Sequence, residues 1–473
     1  TPAPAPEPTP APAPAPAPTP EPAPAPSPEP APAPSPEPAP APSPEPAPAP
    51  GPIQITRPDS NYYSEIDGYG LIDAGNIFEK LTGNKFNQQT PLGGDFWPLD
   101  QLNVPTTWEF STGRDVTVAV VDTGIDLDHP EFEGRLTQGI NIAYPGQAPN
   151  DINGHGTHVA GTIAAADDGQ GSVGVAPEST IMPVKVLYDN GFGRMSAVIS
   201  GIRWAAKEGA DIINLSLGGN AGSAALEESL EFARARGSLV VMAAGNSGGN
   251  SPIYPAAYAS EHGMAVGAVD KDGVMAWYSN KSGQAEINYI TAPGSSIFSS
   301  VPEGYGKKSG TSMAAPHVAG VAALIKDYSP GIGYDSIVNS LLGSSSNSIA
   351  NNGKKVLNPG ELRHDEEANT HDMITGKTIE KVSNRYLRRP LIARLSGNIS
   401  SRKATFNALL DEAKNVVEGS LIDEVDVISR SKFNLITLDM SNSKNLDRSA
   451  FIENYLESGK IEYLELDAKV SII

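Results

Sequence analysis

Residues 117–126 read Thr-Val-Ala-Val-Val-Asp-Thr-Gly-Ile-Asp, an unbroken apolar run that ends in a polar turn. A run without polar alternation is typical of a parallel strand that is buried on both faces. Three later runs have the same character, at residues 181–186, 211–216 and 239–243. Helical patterns alternate with these runs. The alternation predicts an α/β fold with a doubly wound, mostly parallel sheet and helices on both faces.

Polar or small residues follow three of these strands directly. Asp122 ends the first, Ser216-Leu217-Gly218 ends the third, and Asn246 follows the fourth. Because ligands of open α/β sheets bind beyond the carboxyl ends of the strands, we expect these residues to converge on one edge. That edge is the predicted functional site.

Three motifs place an aspartate, a histidine and a serine in this order along the chain. They are Val-Asp-Thr-Gly around Asp122, Gly-His-Gly-Thr-His around His155, and Gly-Thr-Ser-Met-Ala-Ala-Pro around Ser312. A serine hydroxyl becomes a strong nucleophile when an imidazole takes its proton, and a buried carboxylate fixes the tautomer of that imidazole. Ser312 also begins an apolar helix, whose free N–H groups favour a developing oxyanion, and Asn246 can supply a further donor. These four residues are the predicted catalytic residues.

Each motif alone allows another interpretation. Asp-Thr-Gly also occurs in aspartic proteases, but their chemistry needs two such loops and this chain has one. His155 and His158 could form a metal pair, but no third ligand follows at a suitable spacing, so zinc is not expected.

Together with Ala-Ala-Gly-Asn at 243–246, the motifs resemble those of the subtilisin-like serine proteases, or subtilases, over about residues 97–362. The resemblance implies a serine endopeptidase that acts on proteins or peptides. Asp122 would orient His155, His155 would act as general base and then acid, Ser312 would attack, and Asn246 would bind the oxyanion. The resemblance implies that an extended peptide lies between two edge strands, with binding residues Gly191, Phe192, Gly193, Met195, Val198, Ser216, Leu217 and Gly218.

Two finer expectations follow from the same resemblance. Met195 and Val198 would line the pocket for the residue four positions before the scissile bond, which implies an apolar preference there. A structural Ca²⁺ would be held by oxygen ligands in and beside loop 166–172, from Glu131, Ala166, Asp168, Gln170 and Ser172. An acidic surface turn is the alternative interpretation of this loop.

The C-terminal part shows the pattern β-α-β-β-α-β, which predicts a small α+β ferredoxin-like domain. It resembles the inhibitory propeptide of the subtilases, although relatives carry that domain before the protease. Its last residues, Val470, Ser471, Ile472 and Ile473, are expected to enter the cleft as a product-like inhibitor, with Val470 in the apolar pocket. The domain would then restrain or chaperone a zymogen; an accessory domain packed elsewhere is the alternative.

Composition sets the remaining expectations. The chain has no cysteine, which excludes disulfides and thiolate metal sites, and its net charge of -21 argues against nucleic acid as a partner. No apolar run is long enough to span a bilayer, and the missing leader suggests removal of a targeting segment, so we expect a secreted or cell-envelope monomer. The expected organisation is a Pro/Ala-rich spacer at 1–52, an N-terminal extension at 53–96, the catalytic domain at 97–363, a linker at 364–384 and the propeptide-like domain at 385–473.

Two other functions stay open at this level. One is a dedicated maturation protease for a single partner, and the other is an inactive binding protein on a protease scaffold. The intact set of Asp122, His155, Ser312 and Asn246 argues against the second.

Overall fold

The computed structural model describes residues 56–86, 89–344, 373–374, 391–395, 435–438, 461–466 and 469–473. The central strands are β1 (Thr117–Asp122), β2 (Ile140–Asn141), β3 (Thr180–Lys185), β5 (Ile212–Leu215), β7 (Leu239–Ala243), β8 (Met264–Val269) and β9 (Tyr289–Pro293). They form a seven-stranded sheet in the order β2-β3-β1-β5-β7-β8-β9. Every neighbouring pair is parallel. The predicted α/β fold is confirmed.

The helices lie on both faces of this sheet. They are α1 (Ala74–Thr82), α2 (Trp97–Gln101), α3 (His155–Ala164), α4 (Met195–Lys207), α5 (Ala224–Ala235), α6 (Thr311–Tyr328) and α7 (Tyr334–Gly343). One hydrophobic cluster joins the sheet to α1, α3, α6 and α7, and a second joins it to α4 and α5. The sheet is therefore covered on both sides.

Strand β1 shows why its sequence is apolar without alternation. Val118 and Val120 lie in the first cluster, whereas Ala119 and Val121 lie in the second. Successive side chains of a strand point to opposite faces, and both faces are buried here. Asp122 is the last residue of this strand. It lies at the edge of the sheet where the functional site is predicted.

The N-terminal extension is part of the same core. Asp73 caps α1 by accepting a hydrogen bond from the N–H of Asn76, and Phe78 is fully buried in the first cluster. Just before the helix, the N–H groups of Tyr69 and Ile72 donate to carbonyl oxygens of β9. The extension thus covers one edge of the sheet and packs beneath it.

Smaller sheets complete the described structure. Strands β10 (Ile297–Val301) and β11 (Gly304–Lys308) form an antiparallel hairpin. The strands β4 (Phe192–Arg194), β6 (Leu217–Gly218) and β16 (Lys469–Ile472) form a three-stranded sheet with β16 in the middle.

The C-terminal pattern is described in part. The strands β12 (Met373–Ile374), β13 (Leu391–Leu395), β14 (Leu435–Leu438) and β15 (Ile461–Leu466) form an antiparallel sheet in the order β12-β15-β13-β14. The expected helices at 402–417 and 448–456 and the expected strand at 425–428 lie outside the described residues, as does the spacer at 1–52. The ferredoxin-like topology therefore stays a prediction.

None of the helices in the described ranges has the length and apolar character that crossing a bilayer requires.

Candidate active site

Asp122 and His155 meet at the carboxyl end of the sheet. Asp122 is fully buried at the end of β1, and its Oδ1 lies 2.8 Å from Nδ1 of His155. The N–H of Thr123 also donates to this Oδ1, at 2.7 Å. Within the described residues, Oδ2 of Asp122 has no hydrogen-bond partner. The carboxylate is thus oriented by one backbone donor and by the imidazole.

His155 is the first residue of α3, and the glycines around it allow the close approach. A Cβ on Gly156 would lie 2.1 Å from the carbonyl oxygen of Gly124, in the turn that follows Asp122. A side chain there would push the helix away from the turn. The sequence Gly-His-Gly therefore brings the imidazole, which is 5% exposed, against the carboxylate.

Ser312 lies in the first turn of α6 and is buried. Its hydroxyl donates to the carbonyl oxygen of Ser216 at 2.9 Å, and the hydroxyl of Ser216 donates to the carbonyl oxygen of Ser312 at 2.8 Å. No hydrogen bond joins Ser312 to His155 in the part of the chain that the structure describes. The hydroxyl of Ser312 is thus turned towards Ser216 in this structure.

Asn246 follows β7, and its amide orientation is fixed by Thr311. The N–H and the hydroxyl of Thr311 both donate to Oδ1 of Asn246 at 2.9 Å. The amide nitrogen Nδ2 is left on the side of Gly310, where a Cβ would lie 2.9 Å from it and 3.2 Å from the carbonyl oxygen of Ile473. Asn246 therefore presents an N–H donor at the N-terminus of α6.

The peptide-binding edges predicted from the sequence flank the tail strand β16. Val470 is opposite Gly193, and Ser471 is opposite both Phe192 and Gly218. The N–H of Ile472 also donates to the carbonyl oxygen of Gly191, at 3.0 Å. Ser216, Leu217 and Gly218 run along the other side. The structure thus places Gly191, Phe192, Gly193, Leu217 and Gly218 directly beside the tail, whereas Ser216 bonds to Ser312.

Val470 is the most buried residue of the tail, with 1% of its surface exposed. It belongs to the same hydrophobic cluster as Met195 and Val198, on the first turn of α4. Ile472 is half-buried beside Gly191, and Ile473 packs against the first cluster.

The loop expected to hold calcium is closed by hydrogen bonds to Glu131. Oε2 of this buried carboxylate accepts from the N–H of Ala166, and Oε1 accepts from the N–H of Ser172, each at 2.9 Å. Asp168 accepts from the N–H of Gln170. Two backbone donors of the loop thus bind the two oxygens of the Glu131 carboxylate. Within the described residues, no three acidic, histidine or cysteine side chains group together, so a cation here would depend on backbone, amide or hydroxyl oxygens as well.

Sequence reasoning missed two buried charged residues beside the site. Lys185 is the one charged residue in the apolar run 181–186; its Nζ donates to the carbonyl oxygen of Thr123 and to Oδ1 of Asp189. A lysine inside a buried strand was the available signal. Asp151 lies in a polar loop just before α3, where nothing in the sequence distinguishes it from surface residues.

Comparison with known proteins gives the family. The subtilase family model matches residues 113–363. Subtilisin DY of Bacillus licheniformis is 43% identical over 240 residues, which are 50% of this chain and 85% of that protein. Thermitase of Thermoactinomyces vulgaris is 40% identical over 227 residues, 48% of this chain and 80% of that protein. An intracellular serine protease of Paenibacillus polymyxa is 42% identical over 238 residues, 48% of this chain and 72% of that protein. The chain belongs to the subtilase family and is a serine endopeptidase.

Proposed function

We propose that Ser312, His155, Asp122 and Asn246 carry the peptide-bond hydrolysis. The Ser312 hydroxyl attacks the substrate carbonyl carbon while His155 takes its proton through Nε2. The C–N bond then breaks, His155 returns the proton to the leaving amine, and an acyl-enzyme remains. Water, deprotonated by His155, attacks the ester and releases the acid, and the proton returns to Ser312.

The charged states of this cycle have identified partners. Asp122 stabilises the imidazolium at the 2.8 Å contact with Nδ1 and keeps Nε2 free to accept the proton. The amide of Asn246 and the N–H groups at the start of α6 face the space where the oxyanion develops. The observation that carries the proposal is the meeting of the Asp122–His155 pair, Ser312 and Asn246 at one edge of the sheet.

Cleavage of a fluorogenic peptide by the full chain tests this assignment. Ser312→Ala should abolish turnover above the background. Ser340→Ala, which removes a hydroxyl that donates to the carbonyl of Ser336 on α7, should keep the parent rate. Parent-like turnover by Ser312→Ala would contradict the assignment.

We further propose that the tail residues 470–473 inhibit this site within the same chain, as the last segment of a propeptide-like domain at 385–473. The backbone pairing of β16 with both β4 and β6 supports this, because a peptide substrate needs the same hydrogen bonds. A peptide substrate and the tail could then not lie between β4 and β6 at the same time.

Two further observations support the same register. Val470 is buried in the hydrophobic cluster that contains Met195 and Val198, in agreement with the pocket expected four residues before the scissile bond. The backbone oxygen of Ile473, three residues later, lies beside Gly310, as does Nδ2 of Asn246. The tail would therefore hold its Ile473 carbonyl at the position of the residue that precedes the scissile bond.

A charge in the buried pocket tests the inhibition. Val470→Asp should expel the tail, because an unpaired buried carboxylate costs several kcal/mol, and should lower the apparent KM by about tenfold or more. Ser471→Ala keeps the backbone pairing and should leave the KM unchanged. A parent-like KM for Val470→Asp would count against the tail as an inhibitor.

The substrate class is proposed to be proteins with an apolar residue four positions before the cleaved bond. The nearly complete burial of Val470 supports that preference. A peptide-library profile separates the general enzyme from a dedicated maturation protease. Broad tolerance outside this one position supports the general enzyme, whereas a narrow motif over several positions supports the maturation protease.

We propose that the enzyme works outside the cytoplasm, with residues 1–52 as a spacer. Their Ala-Pro, Glu-Pro and Ser-Pro repeats favour an extended polyproline II chain. Family membership alone does not decide the compartment, because one relative is named an intracellular protease. Removal of the protein from intact source cells by an added protease would support the outer location, and full protection would contradict it.

The calcium site implied by the resemblance is tested by chelation. A fall in the Tm of Ser312→Ala with EDTA, reversed by added Ca²⁺, would support a bound ion. Since both oxygens of Glu131 already accept backbone hydrogen bonds, we propose that Glu131 closes the loop without a metal and that EDTA leaves the Tm unchanged.

A further inference from the structure

Asp151 has a buried carboxylate that accepts five hydrogen bonds. Its Oδ1 accepts from the hydroxyl of Thr123 at 2.9 Å and from the N–H groups of Asn153 and Gly154 at 3.0 Å. Its Oδ2 accepts from the N–H of Thr157 at 3.0 Å and from the hydroxyl of Thr157 at 2.7 Å. The residue is 2% exposed, so these donors replace water almost completely.

The five donors belong to the two segments that carry the catalytic pair. Thr123 follows Asp122 directly, whereas the other donors lie in the first turn of the helix that begins at His155 or just before it. The two segments share further contacts around the same carboxylate. The N–H of Gly156 donates to the hydroxyl oxygen of Thr123, and the N–H of Asp151 donates to the carbonyl oxygen of Ile125.

Helix capping explains only part of this arrangement. The N-cap residue of α3 is Gly154, which has no side chain, so Asp151 supplies the missing acceptor for the first N–H groups. A cap alone does not need the hydroxyl of Thr123, which lies on the other segment. That contact extends the network from the helix to the turn behind Asp122.

We infer that Asp151 is a positioning residue that sets the hydrogen bond between Asp122 and His155. Besides His155, the carboxylate of Asp122 is held by the N–H of Thr123, and within the described residues its Oδ2 is without a partner. Its position therefore depends on the turn that Thr123 anchors to Asp151. This inference rests on the catalytic roles proposed above for Asp122 and His155.

The test is the kcat of the full chain carrying Asp151→Asn, which keeps the shape of the side chain. The amide N–H₂ group that replaces one carboxylate oxygen cannot accept the hydrogen bonds that this oxygen received. The turn after Asp122 and the helix that begins at His155 should therefore move slightly apart. A small displacement of a catalytic pair lowers kcat by about 10- to 100-fold, while KM stays within about twofold because the peptide edges are untouched.

Asp327→Asn is the matched control. Oδ2 of Asp327 accepts from the hydroxyl of Ser111 and from the N–H groups of Thr112 and Gly113, near the other end of α6. The two variants should lose comparable stability, but Asp327→Asn should keep the parent kcat. If both variants lost the same fraction of kcat, the effect of Asp151 would be general destabilisation and the inference would fall.

A spectroscopic readout separates positioning from stability. The Nδ1 proton of His155 should give a low-field NMR signal in ¹⁵N-histidine-labelled protein, which contains seven histidines. Asp151→Asn should shift or broaden this signal, and Asp327→Asn should not. The inference requires that Asp151→Asn disturbs the Asp122–His155 contact while the chain stays folded.

If Asp151→Asn does not fold, Thr123→Val tests the positioning role instead. It removes the hydroxyl that donates to Asp151 and accepts from the N–H of Gly156, and it leaves the four hydrogen bonds that Asp151 accepts from its own loop and helix. A lower kcat with a shifted Nδ1 signal supports the inference, and parent-like values of both overturn it. Failure of the catalytic assignment itself has a different signature, namely turnover by Ser312→Ala.

Discussion

The hydroxyl of Ser312 donates to the carbonyl oxygen of Ser216 at 2.9 Å, and the hydroxyl of Ser216 donates back to the carbonyl oxygen of Ser312 at 2.8 Å. The pair ties the start of α6 to the residue just before β6, one of the two strands beside the tail. Asn214 completes the link, because its Nδ2 donates to the hydroxyl oxygen of Ser216 at 2.9 Å. The start of α6, which carries the proposed nucleophile, and the strand β6 are thus held in one network.

Replacing Ser216 by alanine should lower both the stability of the fold and kcat. The carbonyl of Ser312 loses its donor and Asn214 loses its acceptor, which costs about 1–3 kcal/mol in a buried position. We expect kcat to fall by about tenfold, because Ser312, the proposed nucleophile, loses one of its two hydrogen bonds to the residue before β6. Ser229→Ala removes a buried hydroxyl that donates to the carbonyl of Leu226 on α5 and should keep the parent kcat. Equal kcat values for the two variants would refute this role.

Two substitutions at Asn246 separate its two functions. Asn246→Asp keeps Oδ1 as the acceptor for Thr311 but removes the Nδ2 donor, so kcat should fall while the Tm changes little. The expected loss in kcat is about 10²- to 10³-fold, which is the range known for removal of such an amide donor in subtilisin. Asn246→Leu should lose both kcat and stability, because Thr311 then has two unpaired donors. A parent-like kcat for Asn246→Asp would exclude oxyanion binding by this amide.

The stability of the fold should decrease in acid because of two buried histidines. Burial lowers the pKa of His158 to about 3 and that of His317 to about 4. Both rings stay neutral in the folded chain at a pH where the unfolded chain, with a pKa near 6.5, is protonated. The unfolded state therefore binds more protons, and the free energy of unfolding falls as the pH drops below about 6.5.

Urea unfolding of Ser312→Ala between pH 4 and pH 6 measures this effect without autolysis. Each histidine should contribute a slope of about 1 kcal/mol per pH unit in this range. His317→Gln should reduce the slope by the share of one histidine, whatever its effect on the absolute stability. Ser340→Ala, which changes no titrating group, should give a curve parallel to that of the parent. An unchanged slope for His317→Gln would show that this ring is not the source.

The main features of the fold were predictable because they depend on local patterns. The apolar run before Asp122 predicts a strand buried on both faces, and β1 contributes alternate side chains to the two core clusters. The glycines around His155 and the helix that carries Ser312 in its first turn were predictable for the same reason, since each depends on neighbours in sequence.

Features that depend on distant partners were not predictable. One of the five donors around Asp151, Thr123, lies 28 residues before it in the sequence, and no local pattern marks this contact. The rotamer of Ser312 depends on Ser216, a partner 96 residues away. The Glu131 contacts likewise depend on which backbone groups of a loop turn inward, which composition does not specify. The packing of the N-terminal extension was not predictable for the same reason, because Tyr69 and Ile72 bond to β9 and Phe78 packs against Tyr328 of α6.

That N-terminal extension gives the last prediction, which concerns stability. Phe78 is fully buried, and its ring packs edge-on against Tyr328, with centroids 5.5 Å apart. Phe78→Ala should therefore lower the free energy of unfolding by about 3–5 kcal/mol, as expected for a core phenylalanine. Lys80→Ala, an exposed change on the same helix, should cost about 0.5 kcal/mol or less. Urea unfolding in the Ser312→Ala background measures both values. If the extension were a separate accessory, Phe78→Ala would leave the main unfolding transition in place; because its side chains share the core with α6, we expect a single transition that moves to lower urea.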